Sequence, residues 1–116
     1  MLRDHLEYNF RTSANPRCTV LTLVGALTLS HIFDLQKLLH EVEADLLIVD
    51  CGSLEYIDSA GLGVLVNSYV SQSNQGHRIA VAAVSERVWA LFTTTRVDQF
   101  FPSFPSVEEA EKSLLG

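Results

Sequence analysis

The chain of 116 residues is short of several things. It has two cysteines, three prolines, one tryptophan and one methionine. Two cysteines do not make a disulfide scaffold. Cys18 should begin one strand and Cys51 end another, so in a parallel sheet they fall at opposite ends and stay reduced. Positive charge is also scarce: eight Lys and Arg against 14 Asp and Glu, net −6. A basic face for nucleic acid or anionic lipid is therefore not indicated. Aliphatic runs stop at about five residues, far short of a bilayer span. The start of the chain shows no signal-peptide pattern. A single cytoplasmic domain over residues 1–116, with no direct membrane insertion, is the expectation.

Enzyme signatures are missing too. His5, His31, His40 and His77 do not fall at metal-ligand spacing with Cys or one another. "IDSAG" is not the Gly-x-Ser-x-Gly elbow of a hydrolase. Gly61 and Gly63 lack the third glycine of a dinucleotide fingerprint.

What is present alternates between two periodicities. Leu6, Tyr8 and Phe10 alternate with polar residues, as in a strand with one wet face. "TSANP", residues 12–16, is a turn cluster. Thr19 to Val24 reads as a second strand, hairpinned to the first. Ile32, Leu35, Leu38, Leu39 and Val42 keep helical spacing after a candidate cap, Ser30. Leu46 to Val49 is purely aliphatic, as in a strand buried on both faces. Leu62 to Val70 is helical and "NQG" ends it. Ile79 to Val84 is another buried strand. Ser85 caps a helix with Val88, Leu91 and Phe92 on one face. "FFPSFP", residues 100–105, allows only a short edge strand because of its prolines. Ser106 and Glu109 form a capping-box pattern before a last helix. The order β-β-α-β-α-β-α-β-α predicts an α/β domain, mostly parallel, with an antiparallel N-terminal edge strand.

One stretch does not fit an ordinary helix start. In "LEYIDSAGLGVLV" two glycines, each costing about 1 kcal/mol in a helix interior, follow a carboxylate and a hydroxyl. Asp58 and Ser59 are good helix caps. A helix N-terminus also suits a phosphate, and glycines leave the hydroxyl uncovered. On a helical wheel, Leu62, Leu65, Val66, Tyr69 and Val70 fall on the buried face. Ala60, Val64, Asn67 and Ser71 fall opposite, without a charge among them. That face fits either another surface or other parts of the same chain.

The stretch "VDCGSLEYIDSAGLGVLV" resembles the signature of STAS domains, especially bacterial anti-sigma-factor antagonists. Asp50, Asp58, Ser59, Gly61, Leu62 and Gly63 match it residue by residue. "VGAL" and "VSERVWALFTTTRVDQFFPSFPSVEEA" extend the resemblance over nearly the whole chain. The resemblance implies that Ser59 is phosphorylated by a cognate anti-sigma factor that is also a serine kinase. It implies that the unphosphorylated chain binds that kinase, and that a serine phosphatase reverses the switch. The kinase brings the ATP and Mg²⁺, so the chain is a substrate, not an enzyme, and needs no cofactor. Asp58, Ala60, Gly61 and Gly63 then form the switch loop. Thr28, Asp50, Ala60, Val64 and Asn67 belong to the partner surface. Two positions depart from the family: Thr28 stands where many antagonists have Asp, and Ala60 replaces the commoner second Ser. Two alternatives stay open, a STAS subunit of a larger assembly (a stress-signalling complex or lipid-transport ATPase) and a nucleotide-binding STAS domain.

Overall fold

The computed structural model of the chain describes residues 5–115. The absence of a leader read from Met1–Asp4 lies outside them. Five strands stand in the order β1-β2-β3-β4-β5. They are β1 (Leu6–Thr12), β2 (Cys18–Leu27), β3 (Leu46–Ile57), β4 (Arg78–Ala82) and β5 (Ser103–Phe104). β1 pairs antiparallel with β2, and every other pairing is parallel. Helices α1 (Ile32–His40), α2 (Ser59–Asn74), α3 (Glu86–Thr94) and α4 (Val107–Leu115) alternate with the strands from β2 onward. This is the α/β architecture expected from the periodicities.

Alternation along the strands sorts the core into two layers. Leu21, Leu23, Leu47, Val49, Ile79 and Val81 meet Leu35, Leu39, Leu62, Leu65, Val88 and Phe92 from α1, α2 and α3. Cys18, Val20, Leu46, Ile48 and Ala82 meet Ala110 and its neighbours on α4. Each parallel crossover places a helix on a face of the sheet, so central strands lose both faces to the core. The two free cysteines end up in different layers. Burial, with Asp50 adding to it, pushes the Cys51 thiol up to about 12.

Several local expectations hold. The Ser85 hydroxyl accepts from the Val88 N–H at 3.2 Å. The Ser106 hydroxyl accepts from the Glu109 N–H at 3.1 Å. α2 ends at Asn74, and Gly76 at φ +79° turns the chain away, a conformation that costs glycine little. Others need correction. Ser30 does not cap α1. It lies in a 3-10 turn, Leu29–His31, which Thr28 caps. β4 ends at Ala82 rather than Val84.

The largest departure concerns β3. It does not stop near Val49 but runs twelve residues to Ile57. Its pairing with β4 ends at Asp50↔Ala82, while pairing with β2 continues to Leu27↔Ile57. Two register shifts, between Thr22 and Val24 and between Gly25 and Ala26, let β3 carry extra residues against β2. Such bulges bend and twist a strand. They also break the period-two pattern, which is why Leu54 and Ile57 are buried three residues apart. The β2–β3 arm therefore projects past β4 and delivers Asp58 and Ser59 beyond it.

Candidate functional site

The site is built where the ends of β2 and β3 meet the starts of α1 and α2. Asp58 is the N-cap of α2, with extended backbone, and Ser59 is the first residue of the helix. The N–H groups of a first helical turn have no intrahelical acceptor. Asp58 Oδ1 takes the Gly61 N–H at 2.7 Å. Its other oxygen, Oδ2, takes the Leu29 N–H at 3.1 Å. The Asp58 N–H in turn donates to the Leu27 carbonyl at 3.2 Å. One residue thus ties the β3–α2 junction to the β2–α1 turn.

The helix begins earlier than its apolar residues suggest, so the glycines lie inside α2 and not in a turn before it. Their reasons differ. A Cβ on Gly61 would lie 2.4 Å from the Leu27 carbonyl oxygen and 2.8 Å from the Leu27 side chain. Gly61 is buried, and its bareness lets α2 sit against the end of β2 rather than against another molecule. A Cβ on Gly63 would meet nothing within 4 Å. Of the two, only Gly63 leaves an open surface.

Ser59 is exposed and Ala60 half-buried. α2 has no charged residue from Ser59 to Asn74. Its exposed face is not the one the wheel assigns. Val64 is buried, with 3% of its surface accessible, whereas Val70 is 50% exposed. α1 packs beside α2, so α2 is covered by the sheet and by α1 together, and the buried sector turns by roughly a quarter turn. Val64 therefore cannot belong to a partner surface. The uncharged face that reaches solvent runs through Ser59, Gly63, Asn67, Val70 and Asn74.

Thr28 is also unsuited to direct contact. It is 5% exposed, and its hydroxyl accepts from the Ser30 N–H at 3.4 Å. His31 Nδ1 lies 3.3 Å from the Thr28 N–H, closing the cap from the other side. Asp50 lies apart from Ser59. Eight residues of extended chain separate it from Asp58, on the order of 20 Å at the rise of a strand. Its carboxylate accepts the Gly52 N–H at 3.0 Å, at the first bulge.

Two exposed apolar residues absent from the sequence-based list lie in the turn tied to Asp58 and at the start of α1. Phe33 is 86% exposed and Leu29 is 68% exposed. They are four positions apart. Their signal was faint: both fall off the stripe of Ile32, Leu35 and Leu39. Singly exposed apolar residues are common on protein surfaces. Two together within one turn of chain are less so.

No group of three His, Cys, Asp or Glu suited to a metal occurs among the described residues. No helix there is long and apolar enough to cross a membrane.

Solved structures with this architecture include an anti-sigma factor antagonist from Mycobacterium paratuberculosis. It aligns with a TM-score of 0.86 at 18% identity, over 97% of each chain. The Bacillus cell fate determinant SpoIIAA in its phosphorylated form aligns at 0.74 and 14% identity, over 93% of this chain and 99% of that one. A sulfate transporter family protein from Wolinella succinogenes aligns at 0.73 and 15% identity, over 85% and 89%. At these identities the likeness concerns the fold. The family model for the STAS domain matches residues 9–110, nearly the whole length, and the chain belongs to the STAS domain family.

Proposed function

We propose that the chain is an anti-sigma-factor antagonist switched by phosphorylation of Ser59. Unphosphorylated, it binds a cognate anti-sigma factor that is also a serine kinase, in the cytoplasm. Phosphorylated, it lets go, and a serine phosphatase restores it. The chain is the kinase's substrate and performs no chemistry of its own.

One observation carries this reading. Ser59 is an exposed hydroxyl at the first turn of a helix with no charged side chain, and the turn that Asp58 ties to that helix carries exposed Leu29. A surface of that kind suits an apolar or weakly polar partner. A phosphate adds about −1.5 to −2 charge at neutral pH. Here it would sit next to Asp58, on a chain already at −6. Repulsion and the cost of stripping water from the phosphate both oppose docking. No change of fold is required, only a local change of charge at a surface the partner must cover. That SpoIIAA, a protein of this architecture, is solved in both unphosphorylated and phosphorylated forms supports a phosphorylation switch on this fold.

The resemblance to a sulfate transporter family protein favours a second reading. In it the domain is a docked subunit of a larger assembly, and Ser59 serves only in the helix start.

A binding titration separates the two. The wild-type chain and Ser59→Ala should bind the cognate kinase with similar affinity, and Ser59→Glu should bind at least tenfold more weakly. Equal binding by all three removes the switch.

A further inference from the structure

β1 forms one edge of the sheet. Its pairing with β2 is antiparallel, with Leu6 opposite Gly25 and Thr12 opposite Thr19. Hydrogen bonds at the two ends set the phase of that ladder. The Ser13 N–H donates to the Cys18 carbonyl, and the Ala26 N–H to the His5 carbonyl, both at 2.9 Å. Hydrogen-bonded pairs recur at every second residue of an antiparallel ladder. Glu7, Asn9 and Arg11 therefore bond to β2. Leu6, Tyr8, Phe10 and Thr12 turn their N–H and C=O groups to the open edge. Such edges are usually blunted by Pro, Lys, a bulge or a covering segment. β1 has no Pro and no Lys, and its register with β2 runs without a shift. Among the described residues no strand pairs with its outer edge. Side chains alternate across a sheet. Tyr8 and Phe10 meet edge-on, ring centres 6.5 Å apart, on the face that carries α1, α2 and α3. Glu7, Asn9 and Arg11 are all exposed, on the other face.

We propose that β1 pairs with β1 of a second copy of this chain, antiparallel about a two-fold axis at Asn9, joining two sheets into one. The charge pattern selects both the partner and the axis. In a two-fold pairing centred on Asn9, Glu7 faces the second copy's Arg11 and Arg11 faces the second copy's Glu7, so both charges are matched at once. Tyr8 faces the second copy's Phe10, an aromatic pair. Glu7 and Arg11 fall at non-hydrogen-bonded positions of the new ladder, where side chains come closest, with Cα atoms about 4.5 Å apart. An axis at Tyr8 or at Phe10 loses both ion pairs. Glu7 Oε2 lies 2.9 Å from His5 Nε2, and its other carboxylate oxygen is left for an arginine. Arg11 makes no ion pair among the described residues. Main-chain hydrogen bonds supply most of the affinity, as wherever a strand adds to a sheet edge. Each copy carries −6, which opposes the encounter, so the dimer is weak and forms at high concentration.

The dimer does not rest on the proposed function, and the full chain alone tests it. Sedimentation equilibrium up to millimolar concentration should show monomer and dimer in exchange. Glu7→Arg and Arg11→Glu each turn two attractions into two repulsions and should weaken the dimer at least about tenfold. A general charge effect would instead strengthen it in Glu7→Arg, which is less acidic than the wild type. An equimolar mixture of the two variants sets Arg against Glu at both positions and should restore association. Both side chains are exposed, so both variants should keep the wild-type melting temperature. Amide hydrogen exchange at Tyr8 and Phe10 should slow as concentration rises. A chain that stays monomeric, a dimer indifferent to both substitutions, or a mixture that fails to associate contradicts the proposal.

Discussion

The Leu29 N–H donates to Asp58 Oδ2 at 3.1 Å, across 29 residues of sequence. The same carboxylate holds the Gly61 N–H at 2.7 Å. The aspartate is therefore both a helix cap and a tether for the turn that bears Leu29. Asp58→Ala should lose both bonds and cost about 1–2 kcal/mol. Asp58→Asn keeps one carbonyl acceptor and should cost about half as much. Urea unfolding monitored by circular dichroism measures both. A loss no larger than about 0.3 kcal/mol for Asp58→Ala would mean that the tether contributes nothing.

The two glycines of α2 should respond in opposite directions. Gly61→Ala drives a methyl group into the Leu27 carbonyl, with 2.4 Å between them. Backbone must shift, at a cost of about 1–3 kcal/mol. Gly63→Ala meets open space and gains helix propensity, so it should stabilise by about 0.5–1 kcal/mol. Thermal unfolding of the two variants side by side reads the difference. The same sign for both would show that α2 does not sit against β2 as described.

This contrast marks how far the sequence could be read. Its alternation gave the order of strands and helices, because buried parallel strands and amphipathic helices leave different periods. It also placed Asp58 at a cap. It could not separate Gly61 from Gly63, since a close approach to Leu27 depends on how β2 and α2 meet. Nor could it find that β3 reaches Ile57, because two bulges erase the alternation after Asp50. The facing of α2 was misread for a similar reason. Its residues are nearly all small or apolar, so the wheel has no charged side to orient it, and the packing of α1 against Val64 decides the matter. Asp50 matched the motif and Thr28 departed from it, but both side chains are turned to local backbone N–H groups.

Phe33 is the most exposed large hydrophobic side chain among the described residues. At 86% exposure its removal should change folding stability by less than about 0.5 kcal/mol. Under the proposed function, Phe33→Ala should weaken the complex with the cognate kinase about tenfold or more, as expected of an aromatic anchor. Isothermal titration calorimetry gives the affinity, and a melting curve the control. Unchanged affinity would place the docking surface elsewhere.

The buried thiols predict a pH dependence. Cys51 is raised from 9.0 to about 12, first by burial and then by the Asp50 carboxylate. Cys18 is raised in the same direction, mainly by burial. In the unfolded chain these thiols ionise near their ordinary value, while the folded chain keeps them neutral. The unfolded state therefore releases its protons first, and stability falls as pH rises. The contribution is complete below about pH 9 and is lost progressively toward pH 12. Cys51→Ala should flatten part of that decline, measured by urea unfolding between about pH 8 and 10.5, the range where unfolded thiols ionise. A slope identical to wild type would show that Cys51 is not protected. At about pH 8, a thiol reagent should modify native Cys51 slowly and the unfolded chain at once.

The central claim is that Ser59 is a phosphate acceptor whose modification ends a complex. The direct measurement is to incubate the purified chain with its cognate kinase and Mg-ATP, map the phosphate by mass spectrometry, and follow the complex by size-exclusion chromatography. One phosphate, on Ser59, is expected, with dissociation of the complex as it accumulates. A stable complex with Ser59 unmodified, or a phosphorylated Ser59 that leaves the complex intact, would contradict it.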